Sequence, residues 1–131
     1  MTSVQSQVKE VSVVVEADPK GLDLHQPGSK GDLGKAPVFQ GLFNYFPAAL
    51  EEVAKVSHFG SQKYSWGGWK TVEDGLNRYS DALGRHIIYE AQGEEFDQDS
   101  GLSHKAHAAW NALATLELYL RERKAIDTSG W

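Results

Sequence analysis

The feature of this 131-residue chain that most restricts its fold is an apolar seam near the C-terminal end. Ser103 is a typical helix-capping residue, and the apolar residues after it recur at spacings of three and four, as on one face of an α-helix. The seam consists of Ala106, Trp110, Leu113, Leu116 and Leu120. Ala108, Ala112 and Tyr119 add apolar surface elsewhere, which a three-helix core within one chain would not cover. The pattern predicts an all-α helical bundle that is completed by self-association through this helix.

Two earlier segments show the same helical periodicity. The first helix is predicted over Pro47–Phe59, because proline suits the first helical position and Gly60 suits the stop. The second helix is predicted to begin at Val72 or Gly75 and to end at Gln92. Its buried side is predicted to comprise Leu76, Tyr79, Leu83, Ile87 and Ala91.

The N-terminal part of the chain is predicted to be loop-rich. Val11, Val13 and Val15 alternate with other residues and suggest one short strand, which would need a partner. Residues 19–37 are rich in glycine, proline, lysine and aspartate and are typical of a loop. We therefore predict a partly irregular extension over residues 1–29 and one helical domain over residues 30–131.

Composition excludes several kinds of function. The chain has no cysteine, which rules out disulfides, thiolate nucleophiles and cysteine-based zinc sites. Its net charge of -5 gives no general attraction to nucleic acid or to an anionic membrane. No apolar run approaches the ~20 residues of a membrane span, and the N-terminus does not resemble a signal peptide. We expect a cytoplasmic protein that binds neither a nucleic-acid polymer nor a membrane.

Polar residues that can bind metal ions or take part in catalysis occur on the second and third helices and between them. Helical spacings of three, four and seven place some of them on shared faces, provided that the second helix persists beyond Gln92. These residues are His86, Glu90, Glu94 and Asp97 on one helix and His104, His107 and Asn111 on the next. A hairpin turning between Asp97 and Ser103 would bring the two faces together, and Glu52 of the first helix would add to an acidic pocket.

An acidic pocket of this kind needs cations. Clustered carboxylates raise one another's pKa, and divalent ions such as Mg²⁺ or Mn²⁺ prefer their oxygens and also bind phosphate. Such ions can activate water and neutralise a transferring phosphoryl group. Basic residues nearby could hold the remaining phosphates, and the set consists of Lys35, Lys63, Lys70, Arg78 and Arg85.

Each of these residues also has an ordinary structural explanation. Glu51 forms an i,i+4 pair with Lys55, which is typical of a solvated surface, whereas Glu52 lies closer to the apolar stripe and suits either role. On composition alone, Glu94–Asp99 is more typical of a solvated turn, and the histidines that begin the third helix are more typical of an interface or a cap. Trp69 belongs to an aromatic, glycine-rich loop that suits either packing or stacking on a base.

Several short motifs occur between about residues 30 and 120 in a distinctive order and spacing. They are Gly31–Pro37, Leu50–Val56, Phe59–Tyr64, Trp69, Arg78-Tyr79, Asp81-Ala82-Leu83, Arg85-His86, Gly93-Glu94, Asp97, Ser100–His104 and His107-Ala108. None is specific by itself. Together they resemble the dATP/dGTP diphosphohydrolase N-terminal family of phages and bacteria, which is related to the MazG-like all-α nucleotide pyrophosphohydrolases.

The resemblance implies a fold, a reaction and a cofactor. Members of the MazG-like group are helix bundles assembled from dimers, often paired into tetramers. They cut between the α- and β-phosphates with a metal-activated water, using two or more Mg²⁺ or Mn²⁺ ions. A stand-alone domain of this length resembles the phage MazZ-like branch, which implies conversion of dGTP to dGMP for 2-aminoadenine synthesis in a host cytoplasm. The implied substrate is a purine deoxynucleoside triphosphate, with dGTP as the first choice and dATP as the second.

The resemblance also implies roles for individual residues. The usual metal pattern is Glu-x-x-Glu on one helix and Glu-x-x-Asp on a later one. Glu52 matches the first glutamate, Lys55 departs from the second, and Glu94-x-x-Asp97 matches the later motif. The implied catalytic residues are Glu52, Glu94 and Asp97. The implied metal ligands are Glu51, Glu52, Glu94, Asp97, Asp99, His104 and His107. The implied substrate-binding residues are Lys55, Lys63, Arg78, Arg85, Trp69 and Asn111.

A rival hypothesis belongs to a different class of protein. It describes a non-enzymatic helical adaptor whose acidic surface binds a host protein, and it predicts no metal requirement. The carboxylates cluster at helix ends that face a predicted pocket, not along an exposed face. This clustering favours the enzyme.

Overall fold

The computed structural model of the protein describes residues 15–124. The chain divides into two compact units, Met1–Tyr45 and Phe46–Trp131. The described residues form helices and loops without a β-strand, which confirms the predicted all-α class. Of the predicted valine strand, Val11 and Val13 lie outside the described residues, and Val15 is not in a strand. Within the described part, no helix is long and apolar enough to cross a membrane.

The described part of the first unit is mostly loop, as predicted for this segment. Phe39–Phe43 forms a single π-helical turn near its end. The buried carboxylate of Asp18 organises the loop, because its two oxygens accept the backbone N–H groups of Lys20 and Lys30, each at 2.7 Å. These hydrogen bonds, the one from Lys30 foremost, hold the pKa of Asp18 below its ordinary value.

Helix α1 spans Pro47–Lys63 and begins with the proline at its first turn, as predicted. It continues past Gly60, where the sequence predicted its end. A glycine inside a helix costs only about 1 kcal/mol, so a favourable last turn can carry the helix through it. That turn ends at Lys63, whose cation suits a helix C-terminus and also pairs with Asp99. The chain leaves the helix at Tyr64.

Helix α2 spans Gly75–Ala91. It ends because Gly93 adopts a left-handed conformation with φ 95°. The N–H of Glu94 then bonds back to the carbonyl of Tyr89, and that of Gly93 to the carbonyl of Glu90, which satisfies the last carbonyls of the helix. The helix thus ends within one residue of the predicted Gln92 and does not persist to Asp97, so Glu94 and Asp97 lie on the following loop.

Helix α3 spans His104–Arg123, and Ser103 caps it as predicted by accepting the N–H of Ala106 at 3.1 Å. The predicted hairpin is also present, since Phe96 and Ser103 form an antiparallel bridge. The bridge brings the loop after α2 back alongside the start of α3. Helix α3 packs extensively against α2 and also against α1, so the central helix of the second unit is the one with the clearest sequence signal.

The core of the second unit differs from the one that periodicity predicted. Ile87 is 56% exposed, so its predicted burial is wrong. Leu113 and Leu116, which belong to the seam for which self-association was predicted, are 50% and 51% exposed within one chain. Leu120 is exposed as well. The buried residues of α3 are His104, Ala106, His107, Asn111 and Ala114. Polar side chains thus occupy the inner side of α3, and Leu113, Leu116 and Leu120 face outward.

Candidate functional site

A cavity of about 880 Å³ lies within the second unit, lined by residues of all three helices and of the segment that joins α1 to α2. Its volume falls in the range of small-molecule binding sites. The lining combines three kinds of side chain. Aromatic residues form one part, cationic residues a second, and a cluster of histidines and carboxylates a third.

The aromatic wall consists of Trp69, Tyr79 and Trp110. Their ring centroids lie 5.6 to 6.2 Å apart in edge-to-face pairs, a favourable arrangement for aromatic rings. The indole N–H of Trp110 donates to the Ser57 hydroxyl at 2.9 Å, and the Tyr79 hydroxyl donates to the Trp69 carbonyl at 3.3 Å. These contacts attach the 3₁₀ turn Gly68–Thr71 to α1, α2 and α3. The wall is therefore held from four elements.

Four cationic side chains line the same cavity: Lys63, Lys70, Arg78 and Arg85. The ammonium of Lys63 is 2.6 Å from a carboxylate oxygen of Asp99, and this hydrogen bond raises the pKa of Lys63. The ion pair connects the end of α1 to the loop between α2 and α3. It places positive charge beside the acidic loop.

Three histidines meet where α2 crosses the start of α3. Nδ1 of His86 lies 2.8 Å from Nδ1 of His104, and the His86 ring stacks on that of His107 at a centroid distance of 4.5 Å. Nε2 of His107 is 2.6 Å from the Ser100 hydroxyl. His104 is 1% exposed. Its Nε2 has no hydrogen-bond partner among the described residues, although an oxygen of Glu94 lies 3.5 Å away.

The loop after α2 supplies the carboxylate of the cluster. Oδ1 of Asp97 accepts the backbone N–H groups of Asp99 and Ser100 at 3.0 and 2.8 Å, which fixes its orientation. Burial alone would raise the pKa of Asp97. The N–H of Ser100, the neighbouring His107 and the N–H of Asp99 together hold that pKa below its ordinary value. Asp97 is therefore ionised at neutral pH.

His86 and His107 are neutral at the same pH. Burial, reinforced by the neighbouring His107 and His104, lowers the pKa of His86 to about 4. Burial also lowers the pKa of His107, against an opposing effect of Asp97. An ionised carboxylate and neutral imidazoles are the protonation states in which these groups bind metal ions or accept protons.

The structure gathers part of the predicted site and leaves another part outside it. Five of the six predicted substrate-binding residues line the cavity: Lys63, Trp69, Arg78, Arg85 and Asn111. Asn111 is buried and donates to the carbonyl of His107 at 2.8 Å. Among the predicted metal ligands, those in or beside the cluster are Glu94, Asp97, Asp99, His104 and His107. Their functional roles stay predictions.

The predicted residues of α1 lie elsewhere. The ammonium of Lys55 is 3.0 Å from Glu52 and 4.0 Å from Glu51, and none of the three lines this cavity. The cluster also contains His86, which was absent from the predicted metal ligands. Helical spacing had placed it on the face of the second helix that was predicted to meet the third. Its signal was the spacing to Glu90 and Glu94, and a histidine beside Arg85 has an ordinary structural explanation as well.

The cluster has the donors that a divalent metal ion requires. One ligand atom each from His86, Asp97 and His104 lies within 4.8 Å of the other two. Imidazole nitrogen and carboxylate oxygen are ordinary ligands of first-row metal ions. A ligating histidine usually donates its second ring N–H to a carboxylate, and Glu94 lies on that side of His104. The residues present therefore fit a divalent cation.

Comparisons with known proteins point in the same direction as the sequence motifs. A family model described as "dATP/dGTP diphosphohydrolase, N-terminal" matches residues 25–129, which confirms the predicted resemblance. A protein of Salmonella phage PMBT28 with the name "dATP/dGTP diphosphohydrolase" is 36% identical over 104 residues. That match covers 79% of this chain and 33% of the phage protein, so the chain spans about a third of that relative's length. No solved structure matches the chain.

Proposed function

We propose that this chain, which belongs to the dATP/dGTP diphosphohydrolase N-terminal family, hydrolyses a purine deoxynucleoside triphosphate to the monophosphate and pyrophosphate. The substrate we favour is dGTP, with dATP as the second choice, and the setting we favour is phage 2-aminoadenine nucleotide metabolism. The name of the phage relative, "dATP/dGTP diphosphohydrolase", supports the reaction class.

The observation that carries the proposal is the composition of the 880 Å³ cavity. A nucleoside triphosphate has an aromatic base at one end and a chain of anionic phosphates at the other. The cavity offers an aromatic wall, cationic side chains and a carboxylate–histidine cluster, all in one volume. Cationic side chains bind phosphate oxygens through charge-assisted hydrogen bonds, and aromatic rings can stack on any nucleobase.

The side chains of the cavity suit different parts of the substrate. Arg78 and Arg85 are exposed along α2 and can each present a planar fork to phosphate oxygens. Trp66 is 79% exposed at the rim, so its ring face is accessible to a base. Lys63 is already paired with Asp99, which fixes its position before substrate arrives. We assign the phosphates to the cations and the base to the tryptophans.

Hydrolysis of the anhydride needs a water to lose a proton as it attacks the α-phosphorus. The ionised carboxylate of Asp97 and the neutral ring of His107 are the proton acceptors in the cluster. Ser100 holds the His107 ring through its hydroxyl and holds the Asp97 carboxylate through its backbone N–H. These side chains orient the water and take its proton.

A divalent cation, expected as Mg²⁺ or Mn²⁺, would be held by Asp97 and the histidines with Glu94 and Asp99 beside them, and would neutralise phosphate charge and acidify water when bound. The proposal omits Glu51, Glu52 and Lys55, because Lys55 pairs with the two carboxylates on α1 and none of the three lines the cavity.

We also propose that the chain forms homodimers or dimers of dimers. The exposed Leu113, Leu116 and Leu120 leave an apolar row on α3 that a second copy would cover. Burying apolar surface contributes roughly 25 cal/mol per Å², and such rows are typical of subunit interfaces.

The test is incubation of purified protein with each dNTP and either Mg²⁺ or Mn²⁺, with products resolved by anion-exchange chromatography. Monophosphate and pyrophosphate from dGTP support the proposal, and the same products from dATP broaden it to the purine pool. Release of orthophosphate contradicts it. Absence of any metal-dependent product favours the acidic adaptor.

A matched pair of variants locates the reaction. Asp97→Asn removes the charge of the fixed carboxylate while keeping its shape, and turnover should disappear. Asp32→Asn makes the same chemical change on an exposed loop of the first unit, and turnover should not change. If Asp97→Asn turns over substrate as fast as Asp32→Asn and the parent chain, Asp97 is excluded from the reaction.

A further inference from the structure

We infer that His86, His104 and Asp97 form a metal centre with two nitrogen ligands, which binds a first-row transition ion such as Co²⁺ or Zn²⁺ in preference to Mg²⁺. The inference deepens the proposed function and rests on it for the role of the ion in nucleotide hydrolysis. Binding itself depends on the cluster alone. The usual MazG-like motifs consist of glutamate and aspartate, whereas two of the three ligands here are histidines.

The first argument is the close approach of two ring nitrogens in a buried place. The Nδ1 atoms of His86 and His104 are 2.8 Å apart, and His104 is 1% exposed. Two lone pairs at this distance repel each other unless one ring donates a hydrogen bond to the other or both nitrogens bind the same cation. A carboxylate oxygen of Asp97 within 4.8 Å of a ligand nitrogen of each ring adds the negative charge that a cation requires.

The second argument is the orphaned nitrogen on the far side of the His104 ring. If Nδ1 of His104 is a metal ligand, Nε2 must carry the hydrogen, and Glu94 is the carboxylate that lies 3.5 Å away to receive it. Carboxylate–histidine–metal relays of this kind fix the tautomer and the orientation of the ring. Burial of Nε2 without a hydrogen-bond partner among the described residues is otherwise unexplained.

The third argument is that the ligands are oriented by groups outside the centre. The ring of His107 stacks on His86 with an interplanar angle of 9° and is held by the Ser100 hydroxyl. Oδ1 of Asp97 accepts two backbone N–H groups from its own loop. Helix α2, the loop and helix α3 therefore each place one ligand, and a preformed site loses little freedom on binding.

The choice of ion follows from the ligand atoms. Mg²⁺ demands oxygen ligands in octahedral geometry and gives up its waters reluctantly. Imidazole suits zinc and the late first-row ions, whose affinities for a given nitrogen and oxygen site exceed those of earlier ions. Two imidazoles and one carboxylate should therefore bind Co²⁺ or Zn²⁺ at least about a hundredfold more tightly than Mg²⁺.

The test uses the full 131-residue chain without a histidine tag, stripped with a chelator and titrated separately with Co²⁺ and with Mg²⁺ by calorimetry. We expect one Co²⁺ per chain, visible ligand-field absorption, and at least about a hundredfold weaker binding of Mg²⁺. With Mn²⁺ as the probe, pulsed electron paramagnetic resonance should show nitrogen couplings. Equal affinities for Co²⁺ and Mg²⁺ would overturn the inference.

Variants keep the inference testable even if one of them misfolds. His86→Gln should weaken Co²⁺ binding at least about tenfold and remove its nitrogen coupling, because the half-buried ring supplies one ligand. His58→Gln changes an exposed histidine of α1 and should bind as the parent does. His104→Gln is informative only if its circular dichroism is native. If His104→Gln does not fold, Asp97→Asn serves as the second variant of a proposed ligand. Unchanged Co²⁺ affinity in His86→Gln overturns the centre.

The two proposals fail separately. Co²⁺ binding through the histidines without cleavage of any dNTP would keep the metal centre and refute the proposed function. Cleavage of dGTP with Mg²⁺ alone, unchanged in His86→Gln, would keep the function and refute the centre.

Discussion

The hydrogen bond between Trp110 and Ser57 allows a quantitative test of how the aromatic wall is held. Trp110→Phe removes the indole donor that lies 2.9 Å from the Ser57 hydroxyl and keeps an aromatic ring against Trp69 and Tyr79. A hydrogen bond contributes about 1 kcal/mol net, and part of two aromatic contacts of about 1 kcal/mol each is lost with the smaller ring. We expect the free energy of unfolding to fall by about 2 kcal/mol.

A double-mutant cycle separates the hydrogen bond from the packing. Ser57→Ala alone should cost about 1 kcal/mol, and the double variant should cost less than the sum by roughly 0.5–1.5 kcal/mol, because both single changes remove the same bond. The assay is urea unfolding followed by circular dichroism at one fixed protein concentration, since self-association makes stability concentration-dependent. Trp66→Phe, at the exposed rim, should change stability by less than about 0.5 kcal/mol.

Additivity of the two single changes would refute the reasoning. It would mean that Trp110 and Ser57 do not share a hydrogen bond in solution and that the wall is held by packing alone. If the free energy of unfolding of Trp66→Phe falls by about 2 kcal/mol, the assignment of Trp66 to the exposed rim is also refuted, because the residue would then belong to the core.

The remaining predictions concern the site and the interface. Glu94→Gln should lower dGTP turnover and metal affinity about ten- to a hundredfold with unchanged circular dichroism, because a neutral amide supports the His104 ring less well, and full activity would exclude Glu94. Chelator-treated protein should lose thermal stability as the pH falls from 6.5 toward 4, because burial lowers the pKa of His86 to about 4 and the unfolded chain takes up a proton that the folded chain refuses. His86→Gln should lose less over the same range, and equal losses would contradict this cause. Leu116→Glu should dissociate the oligomer in light-scattering measurements, whereas Gln62→Glu, which adds the same charge at an exposed position of α1, should not; an unchanged mass for Leu116→Glu would exclude this interface.

The sequence predicted the helices better than their ends. Helix α3 followed from a strong apolar period and a capping serine, and both features act locally. The end of α1 was misplaced because Gly60 is only a weak helix breaker, and the tertiary pair between Lys63 and Asp99 supports the extra turn. The end of α2 depends on the left-handed conformation of Gly93, which converts Glu94 and Asp97 from helix-face residues into loop residues.

The candidate site was predicted in its composition and not in its assembly. Asn111 lines the cavity because helical spacing places it on the same face as His104 and His107. Arg78 and Arg85, which the resemblance implied as substrate-binding residues, line it as well. The role of His86 could not be read from spacing alone, because it depends on a ring-to-ring contact across two helices. Glu52 matched a motif in letters, yet its partner in space is Lys55 of its own helix.

In the second unit, polar side chains of α3 are buried while three of its leucines are exposed. Where α2 and α3 meet, His104, His107 and Asn111 occupy the inner positions, and Val56, Ala106 and Ala114 are the buried apolar residues among those described. Such small apolar side chains contribute little hydrophobic stabilisation, and the polar ones must be satisfied to avoid a cost.

Stability should therefore come from two additions, a cation in the histidine cluster and a second copy over the leucine row of α3. A ligand that binds the folded state alone raises its stability, and an associating partner does the same. Co²⁺ should raise the melting temperature of the parent chain, and it should raise that of monomeric Leu116→Glu as well, because the cluster lies on the inner side of the helix. Loss of the Co²⁺ effect in Leu116→Glu would show that the cluster forms only when two copies associate.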